Sequence, residues 1–441
     1  MLFRQFVNDD LGCASYLVGD ENSGQAVVVD PAYAIEQYVE QAERDGVRLT
    51  SVLETHTHAD HVSGHGRFAL EHGVPISIHP AGEPEYPFEP LEDGQELELG
   101  PVRVRVLHTP GHRPEHCCFE VIDTERGDEP WLTLTGDSLF VGDAARPDLA
   151  TEAAEGARGL YHSLQRLMEL SDGVEVYPGH VSGSLCGTGM SSKASTTIGF
   201  ERRFNYRLRS GSEEEFVADA IKTGVRPPNM DRIVALNRGP FLGAPEPLEP
   251  LNGGSGAILD VRSPGDFAAG HAKGAINVPI GGGNFPTKAG FVLPADERVV
   301  IHAATADEAQ RAAAGLRSVG IFDLAGYLVD PPSEEQLPAM ELDDLRQLVE
   351  AGAVEVLDVR EPHERDEGYI PGSRNIPYRL VREWADDLQG GKPVVTICSS
   401  GPRAGVAASV LAAEGVDARP VIHGGVQDWD GETVSFRRCG S

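Results

Sequence analysis

The sequence predicts an α/β protein in which a larger N-terminal layered sandwich precedes two smaller, mutually similar α/β domains. Three observations carry this expectation. Short β-branched runs alternate with helical patterns across about 200 residues, the composition turns Pro- and Gly-rich at Gly239, and the remainder holds an internal repeat. At 441 residues the chain exceeds one core, and 40% hydrophobic with 24% charged residues are globular proportions.

In chain order, "CASYLVGD" and "QAVVVDP" read as strands joined by the turn "ENSG". "AIEQYVEQAERDG" reads as a helix closed by Gly46. "LTSVLETHTH", "VRVRVLHTPGH" and "WLTLTGDSLF" are further strands, the last two ending in turns at His112 and Asp137. "GLYHSLQRLMEL" is an amphipathic helix, and "VEVYPGH" a short strand ending at His180. "GPFLGAPEPLEPLNGGSG" is a linker. After it, "AILDVRSPGDFAAGHAKGAINVPI" matches "EVLDVREPHERDEGYIPGSRNIPY" at an offset of about 98 residues, with "DPPSEEQLP" between the copies. The expected domains are therefore 1–240, 253–330 and 337–438.

A net charge of −32 makes nucleic acid and anionic membrane poor partners. The N-terminus reaches Asp9 and Asp10 before any long apolar run, which argues against a signal peptide, and no stretch attains the ~18 apolar residues of a membrane span. Six scattered cysteines are too few for a disulfide framework, so a reducing cytoplasm is the expected setting. Association into a homo-oligomer is left open. Cys117 and Cys118 sit on an expected core strand and read as packing residues.

Chemistry concentrates in Thr55-His56-Thr57-His58-Ala59-Asp60-His61, three imidazoles and a carboxylate within six positions. Histidines two apart on an extended segment face the same side, so His56 and His58 are expected to converge, with Asp60 and His61 on the following turn. Imidazole and carboxylate are ligands of first-row transition metals. His112, Asp137 and His180 each follow a β-run at a Gly- or Pro-marked turn, which extends the candidate set to seven.

At the hexad, at "TPGH" and at "TGDS", the chain over roughly 1–240 resembles the metallo-β-lactamase-fold superfamily, which implies an αββα sandwich. Two chemistries follow from that resemblance. In a binuclear zinc thioester hydrolase similar to glyoxalase II, His56, His58 and His112 would hold one metal, Asp60, His61 and His180 the other, and Asp137 would bridge. In the persulfide dioxygenase branch one Fe(II) would be held by His56, His112 and Asp137. His58, Asp60, His61 and His180 would then orient ligands and hold water. "LFVGDAARPDLA" also resembles that branch, with Ala145 where Gly is common. Arg146 there would steady a substrate anion or form a structural ion pair. Cys186 is a candidate thiol at the mouth of the site.

"KPVVTICSSGPRAGVAASVLAAEG" reads as a strand, a loop opening with Cys398, and a helix. Loop N–H groups, the helix N-terminus and Arg403 all favour thiolate at Cys398. The Cys-x4-Arg spacing, with "LDVRE", "IPGSRNIP" and "HGGVQDW", resembles rhodanese sulfurtransferases. That resemblance implies a persulfide on Cys398 cradled by Ser399, Ser400, Gly401 and Arg403. In the earlier copy Ala303 stands opposite Cys398 and Glu308 opposite Arg403, so the middle domain is expected to be inactive.

The combined expectation is a persulfide dioxygenase–sulfurtransferase fusion. Its substrates would be a low-molecular-weight thiol persulfide, such as glutathione persulfide, and O2. Sulfite would be released, and Cys398 would exchange sulfane sulfur with thiosulfate. The alternative is the two-zinc hydrolase of glutathione thioesters with accessory rhodanese domains.

Overall fold

Alternation between two faces of a sheet decides where the first 180 residues place their side chains. The clearest case is the adjacent pair Cys117 and Cys118. One packs in the cluster between two sheets, with Val104, Val106 and Phe119, and the other packs beneath a helix with Leu160 and Leu164. Both thiols are buried, and burial pushes Cys118 up to about 12. They are packing residues, as the sequence predicts.

The computed structural model describes residues 1–181, 191–221, 226, 229–253, 255–293 and 296–435. Among these, packing divides the chain into Met1–Pro245 with Arg317–Gly320, and Glu246–Leu316 with Ile321–Ser441. In the first unit the strands are β1 (Leu2–Asn8), β2 (Cys13–Asp20), β3 (Gln25–Val29), β4 (Arg48–Leu53), β5 (Ile76–Ile78) and β6 (Glu89–Pro90), forming one sheet in that order. The second sheet runs in reverse, from β12 (Thr196–Thr197) through β11 (Glu175–Pro178), β10 (Leu132–Gly136), β9 (Cys117–Asp123) and β8 (Val102–His108) to β7 (Glu96–Leu99).

Val18, Val27, Val29 and Leu53 from the first sheet meet Val104, Val106, Phe119 and Leu134 from the second. Helices Glu36–Asp45 and His65–His72 cover the outer face of the first sheet through Tyr38 and Phe68. Helix Ala153–Leu167 covers the second. The result is the αββα sandwich. Each fully buried Val, Leu or Phe contributes about 2 kcal/mol of apolar burial, so the core is carried by many modest terms.

One sequence expectation needs correction. The strand carrying the hexad ends at Leu53, and the hexad lies in the loop beyond it. Strand alternation therefore does not set the directions of His56 and His58; local hydrogen bonds do. The N-terminal strand β1, antiparallel to β2, was not anticipated.

The second unit holds two all-parallel four-stranded sheets. The strands are β13 (Ala257–Asp260), β14 (Ile276–Asn277), β15 (Val299–Ala303) and β16 (Leu324–Val329), then β17 (Glu355–Asp358), β18 (Arg374–Asn375), β19 (Val394–Ile397) and β20 (Ala418–Pro420). Their orders are β14-β13-β15-β16 and β18-β17-β19-β20.

The repeated Asp, Arg and Asn residues do the same work in both copies. Asp260 pairs with Arg262, and Asp358 with Arg360. Asn277 and Asn375 each donate to the main-chain carbonyls of both members of that pair, at 2.8–3.1 Å. The repeat is thus a folding signature and does not by itself report chemistry. Asn277→Ala would take its donor from the part-buried Arg262 carbonyl and one of two donors from the Asp260 carbonyl, which also accepts from Val278 N–H at 3.0 Å, and should cost about 1 kcal/mol in denaturant unfolding of the second unit. A cost below about 0.5 kcal/mol would contradict this account of the repeat.

Candidate metal centre and thiol loop

Each of the two imidazoles expected to bind metal in both chemistries has one nitrogen engaged. His56 Nδ1 lies 2.9 Å from Thr55 Oγ1, and that hydroxyl donates to Asp30 Oδ2 at 2.8 Å. The hydroxyl's own proton is committed to Asp30, so His56 Nδ1 carries the N–H and Nε2 keeps its lone pair. His112 Nδ1 donates to the carbonyl of Arg146 at 2.8 Å, leaving its Nε2 in the same state. Such outer partners fix tautomer and ring direction at metal sites. Burial, followed by neighbouring histidines, pushes His56 well below its ordinary value, and burial lowers His112, so both rings are neutral.

The freed atoms converge. His56 Nε2 and His112 Nε2 lie 4.0 and 3.6 Å from Asp137 Oδ2, and the three residues form a candidate metal-binding group. All three atoms are buried without a hydrogen-bond partner. Three orphaned polar atoms in one place would be costly in a finished interior. A cation held among them would satisfy all three. The three residues therefore fit a metal and form a candidate metal site.

Asp137 arrives through Gly136 at the end of β10. Gly136 has a φ of +45°, and a Cβ there would fall 2.7 Å from Thr55 Oγ1 and 2.8 Å from His116 Nε2. Only glycine lets this strand come so close to the hexad. The other carboxylate oxygen, Oδ1, faces His180 Nδ1 at 2.8 Å, and His180 Nε2 faces Asp60 Oδ2 at 2.7 Å.

His58 is directed elsewhere at Nε2, which lies 3.1 Å from Glu54 and 3.2 Å from Asp30. Burial opposes its protonation, yet these two carboxylates raise His58 well above its ordinary value. His58 Nδ1 and His61 Nε2 are also buried and unpartnered.

Sequence reasoning missed Cys13, Asp30, Glu54 and His116 as neighbours of the site. Cys13 Sγ, at the start of β2, lies 3.4–3.5 Å from His180 Nε2, His61 Nδ1 and Asp60 Oδ2. Asp30 had a signal, since it ends β3 before a proline. Cys13 and His116 had none, being isolated residues on elements read as packing.

The Arg146 guanidinium is paired with Asp148 through two hydrogen bonds of 2.7 and 2.8 Å, while its carbonyl serves His112. Cys186 lies outside the described residues.

In the second unit Cys398 follows β19 and is buried, and Gly401 N–H donates to its sulfur at 3.1 Å. Gly401 has a φ of +107°, and a Cβ there would meet the Ile422 carbonyl at 2.3 Å. "HGGVQDW" closes over the loop, with Val426 N–H on the Cys398 carbonyl. Ser400 is exposed. Arg403 does not present a free charge. Its two terminal nitrogens hold Glu364 at 2.6 and 2.7 Å, and Ser399 Oγ joins both residues at 3.1 Å. Glu364 was not foreseen, although it sits in a capping box with Glu361.

The earlier copy lacks this chemistry by direct register. Asp260 pairs with His302 and Asp358 with Ile397, so Ala303 and Cys398 are equivalent residues. Glu308 turns its carboxylate back onto Ala304 N–H at 3.1 Å.

Comparisons with known proteins agree with this layout. Residues 8–180 match the metallo-beta-lactamase superfamily model, and 244–329 and 341–432 match the rhodanese-like domain model. The chain belongs to the metallo-beta-lactamase superfamily and carries tandem rhodanese-like domains after that first domain. Persulfide dioxygenase ETHE1, mitochondrial, of Bos taurus is 30% identical over 241 residues, covering 54% of this chain and 87% of that protein. The probable polyketide biosynthesis zinc-dependent hydrolase BaeB of Bacillus velezensis is 28% identical over 215 residues, 46% of this chain and 89% of that protein. A crystal structure of a metallo-beta-lactamase from Staphylococcus aureus subsp. aureus COL superposes with a TM-score of 0.70 at 28% identity, covering 75% of this chain and 99% of that one. No helix among the described residues is long and apolar enough to cross a membrane.

Two outcomes test these sites. His112→Ala should lose bound metal, read by elemental analysis, while thiocyanate formation from thiosulfate and cyanide is kept; loss of both would show that the domains depend on one another. The second concerns Glu364. Burial opposes its ionisation, but the bonds from Arg403 bring its carboxyl down to about 2 from 4.5. A carboxyl lowered by folding stabilises fully above its unfolded value and loses that contribution as pH falls through the folded one. The stability gap between the parent and Glu364→Gln should therefore shrink between pH 4.5 and about 2. A gap independent of pH over that range would refute the pairing.

Proposed function

We propose that the first unit oxidises the terminal sulfur of a low-molecular-weight thiol persulfide, such as glutathione persulfide, at a single Fe(II). Persulfide, O2 and water would give thiol, sulfite and two protons. Cys398 in the second unit would carry sulfane sulfur as a persulfide and exchange it with sulfite or thiosulfate.

The observation that carries this reading is the buried, unpartnered trio His56 Nε2, His112 Nε2 and Asp137 Oδ2. The corresponding donors of the other set, Asp60 Oδ2 and His180 Nε2, already satisfy each other. Two imidazoles and one carboxylate on one side of an iron leave positions for O2 and substrate. Fe(II), when bound, would supply those positions and the electrons for oxygen chemistry. Thr55 and the Arg146 carbonyl hold the ligand rings in the binding tautomer, and His180 holds Asp137 from behind. Similarity to persulfide dioxygenase ETHE1 supports the substrate class. Fusion to a thiol loop supports it too, because tethering raises the local concentration of a shared persulfide.

A second reading has its own observation. His58 Nδ1 and His61 Nε2 are also buried without partners, as a two-zinc thioester hydrolase would need. Metal analysis and an oxygen electrode separate the two. One iron per chain and O2 uptake with glutathione persulfide are expected; two zincs and no uptake would sink the dioxygenase. In the same assay Cys398→Ser should keep O2 uptake and lose thiocyanate formation.

A further inference from the structure

We propose that Asn237 is a positioning residue of the metal centre, acting by clamping the loop that carries the hexad. Asn237 lies on the helix Met230–Arg238 and is buried. Its amide nitrogen donates to the carbonyls of His58 and His61 at 2.9 and 2.8 Å, and its amide oxygen accepts from Ser63 N–H at 2.9 Å. Two carbonyls on one side and an N–H on the other fix the amide's orientation without ambiguity. One side chain thus bonds three main-chain groups across six residues of a loop with no ladder of its own.

The clamp leads to the metal ligands by two routes. Between the clamped carbonyls lies Asp60, which meets His180 at 2.7 Å, and His180 meets the ligand Asp137 at 2.8 Å. The His58 ring lies with its centroid 4.3 Å from that of His56, forming the wall behind that ligand. The helix is itself anchored beside the hexad. The Arg238 carbonyl accepts from Glu85 N–H at 2.7 Å, and the Gly243 carbonyl from the Tyr33 hydroxyl at 2.7 Å. Gly66, on the helix after the hexad, lets Leu242 pass so closely that a Cβ would lie 2.7 Å from its backbone.

The superfamily match ends at residue 180, so this clamp lies outside the part of the chain that the family model describes. Asn237 is not a ligand and touches no reacting atom. The inference rests on the metal centre proposed above, without regard to which metal it holds or which reaction it runs.

Asn237→Ala and the near-isosteric Asn237→Asp test it in the full chain. Metal-stripped protein is titrated with Co(II) alone, following visible absorption, with thiocyanate formation by Cys398 as an internal measure of an intact second unit. Both variants should bind Co(II) at least about tenfold more weakly with an altered spectrum, the size of effect seen when groups that orient metal ligands are lost. The aspartate should not rescue, because its oxygens face two carbonyls with no donor. Co(II) affinity and spectrum equal to the parent in either variant would overturn the proposal. A readout on the parent guards against variants that fail to fold. The Ser63 amide should be protected from hydrogen exchange, and exchange as fast as that of a solvent-facing loop amide would also overturn it.

Discussion

The carboxylate of Asp137 is the point on which the first unit turns. One oxygen faces two neutral imidazoles whose other nitrogens are committed, and the second faces His180. A buried carboxylate in this position is tolerable only if both oxygens are compensated. His180 compensates one. The other has no hydrogen-bond partner, and although burial opposes ionisation, His180 and His112 hold Asp137 well below the usual carboxylate range. A bound cation would complete this interior by compensating that oxygen. That the demand falls at the end of a glycine-terminated strand, against a loop from the opposite sheet, explains why a sandwich of two sheets is the scaffold.

Much of this was legible in the sequence because the candidate ligands use chemistry that composition exposes. A hexad of His and Asp is conspicuous, and strand-turn signals correctly placed His112, Asp137 and His180 at the ends of β-runs. What could not be read was direction. The hexad lies beyond its strand, so periodicity gave no orientation, and Asp30, Thr55 and the Arg146 carbonyl set it instead. Long-range partners were equally hidden. An asparagine in the pattern "IVALNRG" looks like any polar helical residue until the fold carries it to the hexad.

The two rhodanese-like copies show the difference between a residue kept for folding and one kept for chemistry. Their Asp–Arg pairs and bridging asparagines are superposable in role, and both sheets are parallel in the same order. The nucleophile position and the cation opposite it differ completely. Ala303 and Glu308 replace Cys398 and Arg403, and the acidic residue at the helix start, Asp266 or Glu364, is retained in both copies. With Arg403 present, that acid is paired; with Glu308 present, the copy has two acids and an internally bonded loop. Sequence similarity between the repeats therefore tracks the scaffold, and activity has to be argued from the loop.

The paired state of Arg403 also bears on what the thiol loop can hold. A free guanidinium would attract a dianion such as thiosulfate strongly, but this one shares its charge with Glu364 through two hydrogen bonds. The whole chain adds a charge of −32, which opposes the approach of any anion over the range that salt does not screen. Attraction must then come from groups that act only at contact. The Gly401 N–H on the Cys398 sulfur, at 3.1 Å, is one, and the first turn of helix Pro402–Ala413 supplies the partial positive charge behind it. Dipoles of this kind reward a sulfur already seated in the loop more than one still in solution. A loop built this way suits holding a covalently bound persulfide better than capturing a free dianion.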